Sequence, residues 1–250
     1  MSVREIKPSR AEVRHPEASF SSVRGNMRKV VMDKVQVLGG IQTCGIMPAV
    51  RVRNEDQALR ALAALYEGGI HVAEIAMSMT RAARILDAVI DRFGDLMVIG
   101  AGTVLDAQTA RYCILAGAKF LVSPAVNLRM IELCRRYDIA VFPGALTPTE
   151  ILSAWTAGAD CVKVFPAGSM GGSSYIRAVK APLPQVNLMP MGGVSLESAA
   201  EFIKAGSFAL GVGNDLVSFS SAGESESRQI ASRAAAYRSC IDKARENMST

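Results

Sequence analysis

From about Val35 onward the chain alternates between two periodicities. Short apolar runs of β type are separated by stretches in which apolar residues recur every three or four positions. The runs are IMPAVRV (46–52), VAEIAM (72–77), MVIGAGTV (97–104), FLVSPA (120–125), AVFPGA (140–145), CVKVFPA (161–167), NLMPMGG (187–193) and FALGVG (208–213). The stretches between them carry helix punctuation. EDQALRALAALYEGG stops on Gly68-Gly69, Asp106 precedes AQTARYCILAG, Thr147-Pro148 opens TEILSAWTAG, and Ser195 opens LESAAEFIKAG. A Ser, Thr or Asp side chain accepts from the free N–H groups of a first helical turn, where Pro also fits because no N–H is needed.

Eight strand-like runs alternating with helices predict parallel βα units. Eight units in 250 residues predict a closed (β/α)8 TIM barrel rather than an open sheet. The site is then expected at the C-terminal ends of the strands. Residues 1–35 read as an N-terminal extension, polar, with Pro8, Pro16 and a mostly small-residue stretch from Ala18 to Ser22. Residues 36–250 read as one barrel domain that closes with a polar linker after 220 and a last helix.

Composition narrows the function classes. No apolar run reaches the ~18 residues of a membrane span, and the start has no apolar signal core. Glu5, Glu12 and Glu17 argue against a transit peptide, so a cytoplasmic location is expected. The five cysteines form no C-x-x-C pair and read as reduced thiols. Two histidines, His15 and His71, leave little material for a metal site or a histidine triad. The net charge of +5 is scattered, with no basic stripe interleaved with aromatics, so it suits small anions better than nucleic acid.

Lys163 sits inside the apolar run CVKVFPA, where an ammonium is costly unless it is paired or loses its proton. Strand alternation groups Lys163 with Cys161 and Phe165, Glu74 with Val72 and Ala76, Thr103 with Ala101, and Arg51 with Ala49 and Met47. Any one of these groups alone is read as a structural polar residue. If the four faces are the interior, a lysine, a glutamate, a threonine and an arginine converge on one small volume. A desolvated lysine is a nucleophile toward ketones, a neighbouring carboxylate can move protons, and arginine with a hydroxyl can hold a carboxylate. At the last two strand ends, Gly192 and Gly193 in MGGVSLES and Gly211 and Gly213 in GVGND can bring backbone N–H groups close to an anion.

The motifs EGGIHVAEI, IGAGTVLD, LVSP, FPGALTPTE, VKVFPA and PMGGVSLES, spread over residues 40–215, resemble those of the class I aldolase family of 2-keto-3-deoxy-6-phosphogluconate (KDPG) and 4-hydroxy-2-oxoglutarate (KHG) aldolases. The resemblance implies a (β/α)8 barrel, a homotrimer, a small-molecule 2-keto acid substrate, and no metal or organic cofactor. It makes Lys163 the Schiff-base lysine and Glu74 the general acid/base. Arg51, Thr103, Pro124, Phe165 and Met191 become substrate-binding residues, and Gly192, Gly193, Gly213 and Asn214 a phosphate-binding corner. Three positions depart from the family pattern. A T-x-R after the catalytic glutamate is replaced by Ala76-Met77-Ser78, P-T-G-G by Pro190-Met191-Gly192-Gly193, and G-S by Gly213-Asn214. The implied reaction is reversible cleavage of a 2-keto-3-deoxy (phospho) sugar acid, such as KDPG, to pyruvate and an aldehyde. The KHG and 2-keto-3-deoxy-6-phosphogalactonate reactions are alternatives within the family. Outside it, a phosphate-binding barrel without Schiff-base chemistry and an assembly protein with a relic pocket are the competing readings.

Overall fold

The strands are short and apolar because each must bury both faces, one against helices and one against the other strands. The computed structural model describes residues 32–219 and 224–248. The N-terminal extension falls outside these residues except for its last four. The first helix, α1 (Lys34–Cys44), is capped by Asp33 and straddles the expected 35/36 boundary.

Every predicted run contains a strand: β1 (Ile46–Val50), β2 (Val72–Ala76), β3 (Val98–Gly102), β4 (Phe120–Val122), β5 (Ala140–Phe142), β6 (Gly144–Ala145), β7 (Val162–Val164), β8 (Leu188–Pro190) and β9 (Leu210–Val212). The helices between them are α2 (Glu55–Glu67), α3 (Ala82–Phe93), α4 (Ala107–Ala116), α5 (Leu128–Arg136), α6 (Pro148–Thr156), α7 (Ser173–Lys180) and α8 (Leu196–Lys204), and α9 (Glu224–Glu246) closes the order. The predicted caps are in place. Asp106 accepts from Thr109 N–H at 2.6 Å, and Thr147–Glu150 and Ser195–Ser198 form capping boxes.

All strand pairs are parallel, but they fall into two sheets, β5-β4-β3-β2-β1-β9 and β6-β7-β8, rather than the single closed sheet expected. The fifth run is interrupted at Pro143, which has no N–H to donate. The carbonyls of Val141, Pro143 and Ala145 nevertheless accept in turn from Asp160, Lys163 and Phe165. On the other side, Phe208 N–H donates to Leu188 O at 2.8 Å and a single bridge joins Met191 to Gly211.

Register sorts the faces. Ala49 lies beside Glu74, Glu74 beside Gly100, Gly144 beside Lys163, and Lys163 beside Met189. The inward face below the site is filled by Met47, Cys161, Met189 and the rings of Phe120 and Phe142, 5.8 Å apart and edge to face. Gly100 is where the Phe120 ring lies, since a Cβ there would fall 2.4 Å from it.

At the other end of the strands, α9 arginines close the last turn of α1. Arg245 donates to Gln42 O at 2.5 Å and Thr43 O at 2.9 Å, and Arg238 to Thr43 O and Cys44 O. Cations there satisfy orphan carbonyls and oppose the helix dipole. None of the helices, among the described residues, is long and apolar enough to cross a membrane.

Candidate active site

β7 carries Lys163 into the interior at 3% exposure, and β2 carries Glu74 there at zero. The two groups make no direct ion pair among those the structure records, yet each feels the other's charge. Burial pushes the Lys163 pKa down; the Glu74 carboxylate opposes this and the Arg51 guanidinium reinforces it. Burial pushes the Glu74 pKa up, against the pull of Lys163 and Arg51. In both, loss of water outweighs the charge partner. Neither Glu74 oxygen has a protein hydrogen-bond partner. A buried carboxylate without a protein partner beside a buried amine costs desolvation that an apolar pair would not, which makes the pair a candidate for chemistry rather than for stability.

Arg51 follows β1 directly and is exposed. Its Nη1 leans toward the end of β9, 3.4 Å from where a Cβ on Gly213 would stand. Phe165 lies one residue beyond β7, with its ring centroid 4.9 Å from Lys163 Nζ. Gly192 backs onto that ring, since a Cβ there would lie 3.0 Å from it. Pro124 follows β4, and its carbonyl abuts Gly144, the register partner of Lys163. Met191 is buried, with its side chain folded over Gly211, where a Cβ would meet Met191 Cε at 2.4 Å.

Thr103 departs from the expected alternation. Ala101 pairs with Ile75 on the outward face, and it is Gly102 that faces Glu74. Thr103 instead takes φ 55, a left-handed conformation uncommon for a β-branched residue, so its side chain leaves the strand's alternation just above Gly102.

Gly192 and Gly193 both have positive φ, 81 and 80. Gly193 approaches Gly168 so closely that a Cβ would stand 2.8 Å from its Cα. Ala167 N–H donates to Met191 O and Gly168 N–H to Gly192 O, so the loop after β7 and the glycine turn after β8 are stitched together. Asn214, after β9, is exposed.

Sequence reasoning missed two features. Gly102 is the seat of the Glu74 carboxylate, and the glycines at 100 and 102, two apart in a strand, were the available signal. The thioether of Met79 accepts from Val52 N–H at 2.9 Å, tying the Arg51 loop to the loop after β2; no local pattern announced it. No cluster of three or more metal-ligating side chains occurs among the described residues.

A desolvated lysine and a desolvated carboxylate at the strand ends of a parallel α/β fold, with an arginine whose charge acts on both, fit a protein of the aldolase class. The family model described as KDPG and KHG aldolase matches residues 38–232, and the chain belongs to this family. It is 33% identical over 187 residues to a 2-dehydro-3-deoxy-6-phosphogalactonate aldolase of Escherichia coli K12, covering 74% of this chain and 91% of that one. A solved native KDPGal structure matches at TM-score 0.75 and 31% identity, covering 80% of this chain and 96% of that one. A KDPG aldolase of Legionella pneumophila, solved with pyruvate captured as a covalent carbinolamine, matches at TM-score 0.69 and 25% identity, covering 84% and 98%.

Proposed function

We propose that the protein is a class I aldolase that cleaves a 2-keto-3-deoxy sugar acid reversibly to pyruvate and an aldehyde. The observation that carries this reading is the burial of Lys163 beside an unpartnered Glu74, with Arg51 acting electrostatically on both. Neutral Lys163 Nζ attacks the C2 ketone to form a carbinolamine. Glu74 shuttles the protons that let hydroxide leave as water and the iminium form. The iminium draws the electron pair of the C3–C4 bond onto C3 as the C4 hydroxyl gives its proton to Glu74 and becomes the aldehyde. The enamine takes a proton back at C3, and hydrolysis frees pyruvate and Lys163. Arg51 and Thr103 hold the substrate carboxylate, Pro124 and Phe165 wall the pyruvyl end, and Met191 lines the path to the distal end. Gly192, Gly193, Gly213 and Asn214 receive that distal end, with a phosphate as its charged terminus.

The two sheets are read as one closed eight-stranded barrel, with β5 and β6 a single strand interrupted at Pro143. The carbonyl series 141, 143, 145 on one side and the Met191–Gly211 bridge on the other support this closure. Self-association as a homotrimer would cover exposed apolar surface such as Leu105 (62%) and Leu128 (57%), on segments linked where Asn127 donates to Leu105 O at 2.9 Å. A cytoplasmic location fits the free thiols of Cys44, Cys113, Cys134, Cys161 and Cys240.

Borohydride reduction in the presence of pyruvate tests the chemistry. A pyruvyl adduct on Lys163 by peptide mass spectrometry is expected, and adduct elsewhere or none overturns the mechanism. Catalytic efficiency across phosphorylated and unphosphorylated 2-keto-3-deoxy acids then identifies the substrate.

A further inference from the structure

The turn that carries Asn214 is fastened from outside the barrel. Asp215, the next residue, receives three side-chain hydrogen bonds from α9. Arg233 grips both its oxygens, Nη2 to Oδ1 at 2.7 Å and Nε to Oδ2 at 3.3 Å, and the Tyr237 hydroxyl donates to Oδ2. Tyr237 is fully buried although it carries a polar hydroxyl. A bidentate arginine and a buried phenol on one carboxylate constrain direction as well as distance. Cys240, one turn further along α9, sits with Sγ 3.9 Å from Leu196 O. Leu196 is four residues past Gly192. One helix therefore touches the turn after β9 directly through Asp215, and through Cys240 the first residue of α8, into which the glycine turn after β8 leads.

α9 has further contacts with the barrel: Arg238 and Arg245 donate to the carbonyls closing α1, and Ala234 packs on Gly68 just past α2, where a Cβ would meet Ala234 Cβ at 2.4 Å. The Arg233–Tyr237–Asp215 cluster is therefore one of several contacts that hold α9 on the barrel. The match to the family model ends at residue 232, so Arg233, Tyr237 and Cys240 lie just past it.

We infer that Tyr237 and Arg233 are positioning residues, which through Asp215 set the Asn214 turn and with it the grip on the substrate's distal end. The inference rests on the aldolase reading. It assigns the two ends of the substrate to different parts of the chain. The pyruvyl end depends on the strands carrying Lys163, Glu74 and Arg51, and the distal end depends on α9.

Tyr237→Phe removes one hydroxyl and keeps the packing, so it isolates the positioning role. With the 2-keto-3-deoxy acid that the wild type cleaves best, KM is expected to rise roughly tenfold with kcat nearly unchanged, the loss of a remote orienting contact. The pyruvate concentration giving half-maximal borohydride inactivation at Lys163 is expected to stay within twofold of wild type. Arg233→Lys, which keeps the charge and loses the fork, is expected to give an intermediate KM. An unchanged KM in Tyr237→Phe, or a KM and a pyruvate half-saturation that rise together, overturns the inference. If Tyr237→Phe does not fold, Arg233→Lys and Arg233→Gln carry the same comparison. Failure of wild-type trapping at Lys163 would count against the aldolase reading instead.

Discussion

The Cα of Gly102 lies directly under the carboxylate of Glu74: a methyl group there would stand 1.6 Å from Oε1 and 2.0 Å from Cδ. The two residues come from neighbouring strands, and only a residue without Cβ leaves room for the acid to lie flat across β3. Gly102→Ala is therefore expected to displace Glu74 while the barrel still forms. A fall in kcat of about a hundredfold or more, the scale of losing a general acid/base, is the expected outcome. Steady-state kinetics beside circular dichroism check it, and retained kcat would show that Glu74 works from another position.

The pH profile of trapping reports on Lys163. Only the neutral amine attacks, and burial has brought its pKa below the usual 10.5, so the rate rises with pH and levels off before that value. Arg51 pushes the pKa down and Glu74 pulls it up. Arg51→Gln is expected to move the rising limb to higher pH, and Glu74→Gln to lower pH. Borohydride inactivation with pyruvate across a pH series measures both shifts, and limbs that do not move would show that neither charge reaches Lys163.

Stability should carry the opposite mark of the same burial. Folding strips from Lys163 a proton that the unfolded chain keeps, so stability climbs with pH from the lowered folded value to 10.5. Folding holds on Glu74 a proton that the unfolded chain releases, so stability falls as pH rises from 4.5 to the raised folded value. The double variant Lys163→Met, Glu74→Gln is expected to flatten both slopes and, at pH 7, to be more stable than the wild type, since two buried titratable groups are removed. It should be inactive. Urea midpoints at several pH values decide this, and a less stable double variant would mean that the pair is structural.

Gly193→Ala meets two obstacles, a backbone at φ 80 and a Cβ 2.8 Å from Gly168 Cα. The neighbour is backbone and cannot swing aside. The conformational strain alone is about 1–2 kcal/mol, and the stitched loops must separate. Lower thermal stability together with a higher KM for the distal end is expected. A variant with wild-type KM would remove Gly193 from the proposed phosphate corner.

Met191→Thr tests the departure from P-T-G-G. Met191 fills the space over Gly211, so the shorter residue opens a cavity costing about 2–3 kcal/mol. The hydroxyl is expected to raise efficiency for substrates hydroxylated toward the distal end relative to those without. Competition between two such acids reads the ratio, and an unchanged ratio would mean that Met191 only packs.

Much of this was legible in one dimension. The eight strand positions, the Asp106, Thr147 and Ser195 caps and the buried lysine follow from local rules of periodicity, capping and desolvation, each acting over a few residues. Within each strand these rules group Lys163 with Cys161 and Phe165, and Glu74 with Val72 and Ala76; that the strands then face one another is for the tertiary structure to decide. Tertiary structure decided the rest, where the outcome depends on what arrives from elsewhere in the chain. Thr103 left its strand's alternation because the chain turns left-handed just past Gly102. The thioether of Met79 became a hydrogen-bond acceptor because a loop 27 residues away was brought beside it. Tyr237, in a helix with no local sign of function, reaches Asp215 because parallel strands return each helix to the strand ends, and no pattern in the sequence shows which side chains will meet there.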